Sequence, residues 1–323
     1  MSQCHPNTVA ITGASGFIGK ALITDLIKSD VCRINALRHS APVSEGWVPY
    51  VQDSWGDLLQ ADTLNDWPPP ESTLVHLAYM WDVTAEANLN ATANLLDACH
   101  RTGVKRLVHV STAAVVGRAD NPWIDERTAC HPVTKYGQTK LRIEQMMRDG
   151  ARQLGLDLVI LRPTSVYGPE GMPLVKLCKD LRQSQWWINY LKACLFGYRA
   201  MNLVHLDNVV AAIRFLIDYP SNLDGATFII SDDHDVANNF MDVERTARDL
   251  LKVNAYPLPV VALPDGLLSL ILRVLGRNII DTTCRFKSDR LFSLGFRPQV
   301  SLQNGLRDYF LWYRQVVLPQ DLV

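Results

Sequence analysis

Short apolar runs alternate along the first half of the chain with longer stretches whose apolar positions recur every three or four residues. Thr8–Thr12 has the pattern of a buried strand, and Gly19–Lys28 follows as a helix with Ala21, Leu22, Leu26 and Ile27 on one face. The same reasoning predicts strands at Arg33–Arg38, Thr73–Ala78, Arg106–Ser111 and Leu156–Arg162. Helices are expected at Ala85–Thr102, with Leu89, Ala93, Leu96 and Ala98 inward, and at Tyr136–Leu154. Strands that alternate with helices predict a parallel sheet covered on both faces. Right-handed crossovers then make it a doubly wound α/β sheet of the Rossmann type.

After Pro163 the rhythm weakens and loops such as Pro169-Glu170-Gly171-Met172-Pro173 intervene. The expected division is a dinucleotide-binding domain over 1–163 and a smaller, mainly substrate-binding lobe over 164–323. Segments near 203–231 are expected to return to the first domain, because Asn208–Tyr219 reads as a helix and Thr227–Ser231 as a strand. The longest apolar stretch, Leu258–Leu275, is interrupted by Pro259, Pro264, Asp265 and Arg273, which argues against a membrane span. An amphipathic helix from Gly266 to Leu275 packed on the C-terminal lobe fits better, with peripheral membrane contact as the alternative.

Composition narrows the class. Of 323 residues, 48% are hydrophobic and 20% charged, which fits a globular enzyme and excludes long disorder. A formal net charge of -1 gives no nucleic-acid-binding surface. Seven cysteines at irregular spacing, with no CxxC pair, read as free thiols and offer neither a disulfide frame nor a zinc site. The polar N-terminus lacks the apolar core of a signal peptide, so a cytoplasmic protein is expected.

The chemistry starts at the first strand-to-helix turn, Thr12-Gly13-Ala14-Ser15-Gly16-Phe17-Ile18-Gly19. Glycines there allow a tight turn, close approach of backbone to a pyrophosphate and packing of helix on strand. The helix start offers N–H groups and a positive dipole end to phosphates. At the end of the second strand a carboxylate would bind the ribose hydroxyl of NAD, but Arg38 stands there. A guanidinium suits the extra phosphate of NADP, with an exposed Arg38 and bound NAD as the alternative. Tyr136 and Lys140 lie four residues apart on one helix face. The lysine charge is expected to favour phenolate, so that Tyr136 serves as acid or base. Thr112, ending a strand upstream, is placed to hydrogen-bond the same substrate oxygen.

These residues, with Gly56-Asp57-Leu58, Val75-His76-Leu77-Ala78, Asn88, Leu161-Arg162-Pro163, Val166-Tyr167-Gly168, Val204-His205-Leu206-Asp207 and Leu294-Gly295-Phe296, resemble the extended short-chain dehydrogenase/reductases of the NAD-dependent epimerase/dehydratase family. The resemblance implies that Asp57 and Leu58 hold the adenine and that Leu77, Ala78 and Tyr79 line the cofactor. It implies that Asn88 buttresses the site, and that Pro163 and Ser165 lie near the nicotinamide and the substrate diphosphate. It makes Thr112, Tyr136 and Lys140 the catalytic hydroxyl, acid/base and lysine, and suggests a homodimer. The family's dehydratases carry Asp-Glu after the catalytic Thr; Ala113 and Ala114 stand here, which argues against dehydration. Ser165 in place of Asn, and Arg199 offset from the usual position, depart from the diphosphate-binding pattern.

His5, His100 and His131 have no partners at metal spacing. Trp186 and Trp187 are expected in the core, and Asp232-Asp233-His234-Asp235 in a solvated loop. The expected activity is 4-keto reduction or 4-epimerisation of a nucleotide-linked sugar with NADP, or else NAD. The alternatives are reduction of a non-sugar carbonyl or hydroxysteroid-like substrate, and a non-catalytic NADP-binding regulator.

Overall fold

In the computed structural model, residues 7–29, 32–39, 45–119, 121–262 and 284–318 are described. The chain divides into two compact units: 1–115, 132–162 and 210–228 form the first, and 116–131, 163–209 and 229–323 the second. The expected boundary differs in that 116–131 groups with the later residues.

The central sheet contains β1 (Asn7–Thr12), β2 (Cys32–Arg38), β3 (Val51–Trp55), β4 (Thr73–His76), β5 (Arg106–Val110), β6 (Asp157–Pro163) and β7 (Ala226–Ile230). Its order is 3-2-1-4-5-6-7, with the reversal of winding between β1 and β4, which is the doubly wound arrangement. Pairing is parallel from β3 through β6. Strand β3 escaped the sequence reading because only Val51 of V-Q-D-S-W is buried, leaving no apolar run at this sheet edge.

Three helices of the first unit matter most: α1 (Phe17–Ser29), α2 (Ala85–Thr102) and α3 (Lys135–Leu154). Their ends are written in local chemistry. Thr84 and Thr134 cap α2 and α3 by accepting from Ala87 N and Gly137 N, and Gly103 and Gly155 close them in the left-handed conformation. Helix α2 buries Leu89, Leu96 and Ala98 as expected, whereas Ala93 is exposed. The core beneath joins Leu74, Leu95, Leu107, Ile143, Met147 and Leu158. Arg106 is buried at the start of β5, ion-paired to Asp157 and donating to the carbonyls of Leu216, Tyr219 and Ser221. Full pairing is what makes a buried guanidinium tolerable.

The second unit has its own core of Tyr167, Leu203, Val243, Leu306, Tyr309 and Phe310. Two expectations fail there. Asp232 and Asp233 are not solvated but buried. Asp232 accepts from His205 N and Asn208 Nδ2, and Asp233 accepts from Asn202 Nδ2, Asn238 Nδ2 and Phe286 N. These donors replace the water the carboxylates give up. Trp186 and Trp187 are not core residues; they open the helix Trp186–Phe196 and each is half exposed. The expected helix at 266–275 lies outside the described residues. No helix among those described is long and apolar enough to cross a membrane, and no disulfide joins their cysteines.

A Cβ on Gly19 would stand 2.2 Å from Gly13 O and 2.9 Å from Ala14 Cα. Gly19→Ala must therefore push α1 off the turn. It is expected to cost about 1–3 kcal/mol of stability in denaturant unfolding; an unchanged midpoint would contradict the packing described.

Candidate active site

The site is assembled at the carboxyl ends of β1, β4 and β5. Gly13 takes φ +71°, and a Cβ there would lie 2.8 Å from Ala78 N. The turn after β1 thus presses against the backbone that leaves β4. Thr12 ties the same two segments together. Its Oγ1 lies 2.7 Å from His76 Nδ1 and accepts from the amides of Leu77 and Ala78. His76 stacks on His109 at 5.3 Å, and burial, aided by the Lys140 charge, lowers His76 to a pKa of about 3, so it is neutral.

The turn presents a cradle for a phosphate. Lys20 N makes the first bond of α1, to Gly16 O, so the amides of Phe17, Ile18 and Gly19 lead the helix with no carbonyl ahead of them. Ser15 and Gly16 are exposed beside them. Arg38 ends β2, and its Nε is ion-paired with Asp53. Asp57 caps its own turn by accepting from Leu59 N, with His39 at 3.6 Å. Leu58 is buried, and its carbonyl accepts from Asn94. A run of leading amides and glycines that admit close approach fit a dinucleotide.

The loop after β4 carries Leu77, Ala78, Tyr79, Met80 and Trp81. Asn88 of α2 pins it at Met80 from both sides, accepting from the amide and donating to the carbonyl. This holds Tyr79 and Trp81 against Tyr136. The Tyr79 ring meets Tyr136 edge-on at 5.0 Å, and Trp81 stacks on Tyr136 at 4.8 Å with an interplanar angle of 22°.

Helix α3 brings Tyr136 to the end of β5. A Cβ on Gly137 would lie 2.6 Å from Ala114 O, so glycine at this position lets the helix start rest on the 112–114 turn. Thr112 there is half-buried and accepts from Ala114 N. Burial raises the neighbouring Tyr136 phenol above its ordinary value of 10, the nearby Thr112 hydroxyl opposes that shift, and Tyr79 adds to it. This corrects the expected bias toward phenolate, since desolvation is the largest effect on the phenol. One turn on, Lys140 is buried and donates to Val110 O at 3.0 Å. Burial brings it down from 10.5 to about 8, against the pull of Glu144.

Glu144, a further turn along, is fully buried and grips Arg162 through both oxygens at 2.9 and 2.6 Å, with Arg148 at 3.2 Å. These partners hold its carboxyl low despite burial. The sequence reading passed over Glu144, Trp81 and Asp53. The spacing Tyr136–Lys140–Glu144, four and four, could have flagged the first; nothing local marks the other two. Pro163, the last residue of β6, and Ser165, whose amide donates to Asn202 O, belong to the second unit. Among the described residues no group of His, Cys, Asp or Glu could hold a metal.

A family model described as the NAD dependent epimerase/dehydratase family matches residues 9–231. The UDP-glucose 4-epimerase of Vibrio cholerae is 28% identical over 325 residues, covering 94% of each chain. The structure of UDP-glucuronic acid 4-epimerase from Bacillus cereus in complex with NAD matches with a TM-score of 0.71 at 18% identity, over 96% of this chain and 98% of that one. That of RMD from Pseudomonas aeruginosa complexed with NADPH has a TM-score of 0.66 at 20% identity, over 95% and 99%. The chain belongs to the NAD-dependent epimerase/dehydratase family and is an enzyme of the extended short-chain dehydrogenase/reductase type.

The Lys140 environment gives a pH test. Between pH 8 and 10.5 the unfolded lysine binds more proton than the folded one, so wild-type stability rises with pH across that window. Lys140→Met carries no such charge. Its stability relative to wild type, from denaturant melts, should fall as pH is raised from 8 to 10.5; a constant or growing difference would contradict a charged lysine held in the interior.

Proposed function

We propose that the enzyme reduces the 4-keto group of a nucleotide-linked sugar with NADPH, with Tyr136 as proton donor. The observation that carries this reading is the half-buried Tyr136 phenol beside Thr112, one helical turn before Lys140, with burial pushing its pKa up. A group in that state is an acid, which is what carbonyl reduction requires.

The bound nicotinamide would supply hydride to the carbonyl carbon. Tyr136 gives its proton to the carbonyl oxygen, and Thr112 donates a hydrogen bond that orients it. The Lys140 ammonium, one turn along, steadies the phenolate left behind. Gly13, Ser15, Gly16, Phe17, Ile18 and Gly19 would hold the pyrophosphate, and Asp57 and Leu58 the adenine. Leu77, Ala78 and Tyr79 would wall the cofactor. Arg38 would take the extra phosphate of NADP through its terminal nitrogens while Asp53 orients it from the side. Ala113 and Ala114 supply no acid–base pair for loss of water.

A second reading, 4-epimerisation, is favoured by the end-to-end similarity to the Vibrio cholerae enzyme. There Tyr136 would act first as base and then as acid. The two part on stoichiometry. Reduction consumes one NADPH per product, whereas epimerisation interconverts the sugars with no net change in cofactor.

Incubation with UDP- and dTDP-linked 4-keto sugars and NADPH, with UDP-glucose and UDP-galactose in parallel, decides between them. Matching loss of NADPH and keto sugar is expected; sugar interconversion without cofactor loss would overturn reduction. Tyr136→Phe should lower kcat by about 10²–10⁴-fold and leave cofactor affinity intact; full activity would refute the donor. Arg38→Ala should weaken NADP binding by about 10–100-fold while sparing NAD. Equal effects on the two cofactors would remove Arg38 from the phosphate.

A further inference from the structure

Trp81 is the residue whose position the fold alone does not explain. Its side chain is 71% exposed, although burial of a large apolar ring is worth several times more than a loop gains by leaving it in water. The exposed ring is nonetheless fixed. Asn88 clamps the preceding residue through two hydrogen bonds, and the indole packs edge-on to Tyr79 at 4.9 Å as well as lying flat on Tyr136. Tyr79 in turn meets Tyr136 at 88° and lies 5.9 Å from Lys140 Nζ. Three aromatic rings from two stretches of chain thus form a closed cluster that includes the phenol proposed to move a proton.

We infer that Trp81 is a positioning residue for Tyr136: its indole covers one face of the phenol, keeps water from that face and, with Tyr79, fixes the ring so that the hydroxyl stays on the Thr112 side. A phenol with a free face could rotate and be solvated, and a hydroxyl turned away from that side is unproductive. Stacked and edge-on aromatic pairs supply enough attraction to hold one orientation. The cover also makes substrate approach directional, since a carbonyl reaches the hydroxyl only past the edge of the cluster. This inference rests on Tyr136 as proton donor, but the cluster itself can be tested without any substrate.

The test is a titration of the Tyr136 phenol by NMR of tyrosine labelled at Cζ, in wild type, Trp81→Ala and Trp81→Phe, alongside kcat and KM. Tyr136→Phe assigns the resonance. Trp81→Ala should let water in, bring the Tyr136 pKa back toward about 10 and lower kcat by about three- to tenfold, with a smaller change in KM. Trp81→Phe keeps an aromatic cover and should recover most of both. Because Trp81 stands largely in solvent, its removal leaves the core intact. A wild-type titration and kcat in Trp81→Ala would overturn the inference. A Trp81→Phe variant as impaired as Trp81→Ala would overturn the role of ring cover. If Trp81→Ala shifts the titration while Tyr136→Phe keeps full activity, the cluster stands and the donor assignment falls.

Discussion

Two backbone approaches, each open only to glycine, hold the site together. At Gly13 the turn after the first strand closes on the amide of Ala78, and at Gly137 the start of the third helix closes on the carbonyl of Ala114. Any side chain at either place would collide with main chain, which cannot swing aside as a flexible side chain can. The first approach sets the glycine turn against the loop that carries Tyr79 and Trp81. The second sets the start of the helix that carries Tyr136 on the 112–114 turn. The helix caps, the loop clamp by Asn88 and the aromatic cluster refine an arrangement that these two contacts make possible.

Electrostatics then decide what the arrangement does. Burial works in the same chemical direction on both key groups: it keeps the phenol protonated and makes the lysine a weaker base than usual. Lys140 retains its place because Val110 O accepts from it and Glu144 lies one turn away. Glu144 could not stay ionised in the interior without the two-pronged grip of Arg162. The pair Glu144–Arg162 therefore keeps a carboxylate charge in place one turn from the lysine.

Much of the first unit was legible in the sequence because its signals are local. Apolar runs marked β1, β4, β5 and β6, threonine and glycine marked the ends of α2 and α3, and the glycine turn followed a strand directly. The Tyr136–Lys140 spacing and Thr112 at a strand end were readable for the same reason. What escaped depends on partners distant in sequence. Arg38 was visible, but the Asp53 that flanks it comes from an edge strand with one buried residue. Trp81 sits in a loop with no periodicity, and only the fold shows the Tyr136 ring beneath it. Asp232 and Asp233 looked like a water-loving run. Their burial rests on asparagine and backbone donors from 202–208, 238 and 286, which composition does not reveal. Trp186 and Trp187 erred the other way, since hydrophobic character alone does not say which face of a helix finds a partner.

The most direct measurement of the central claim is the kcat of Gly137→Ala on the substrate that wild type turns over, set beside the affinity for the nicotinamide cofactor. A methyl group there must lift the helix start, and Tyr136 with it, from the 112–114 turn. The account predicts a kcat loss of about 10²-fold, the scale of a 1 Å misplacement, with cofactor affinity nearly unchanged. Wild-type turnover in that variant would contradict it.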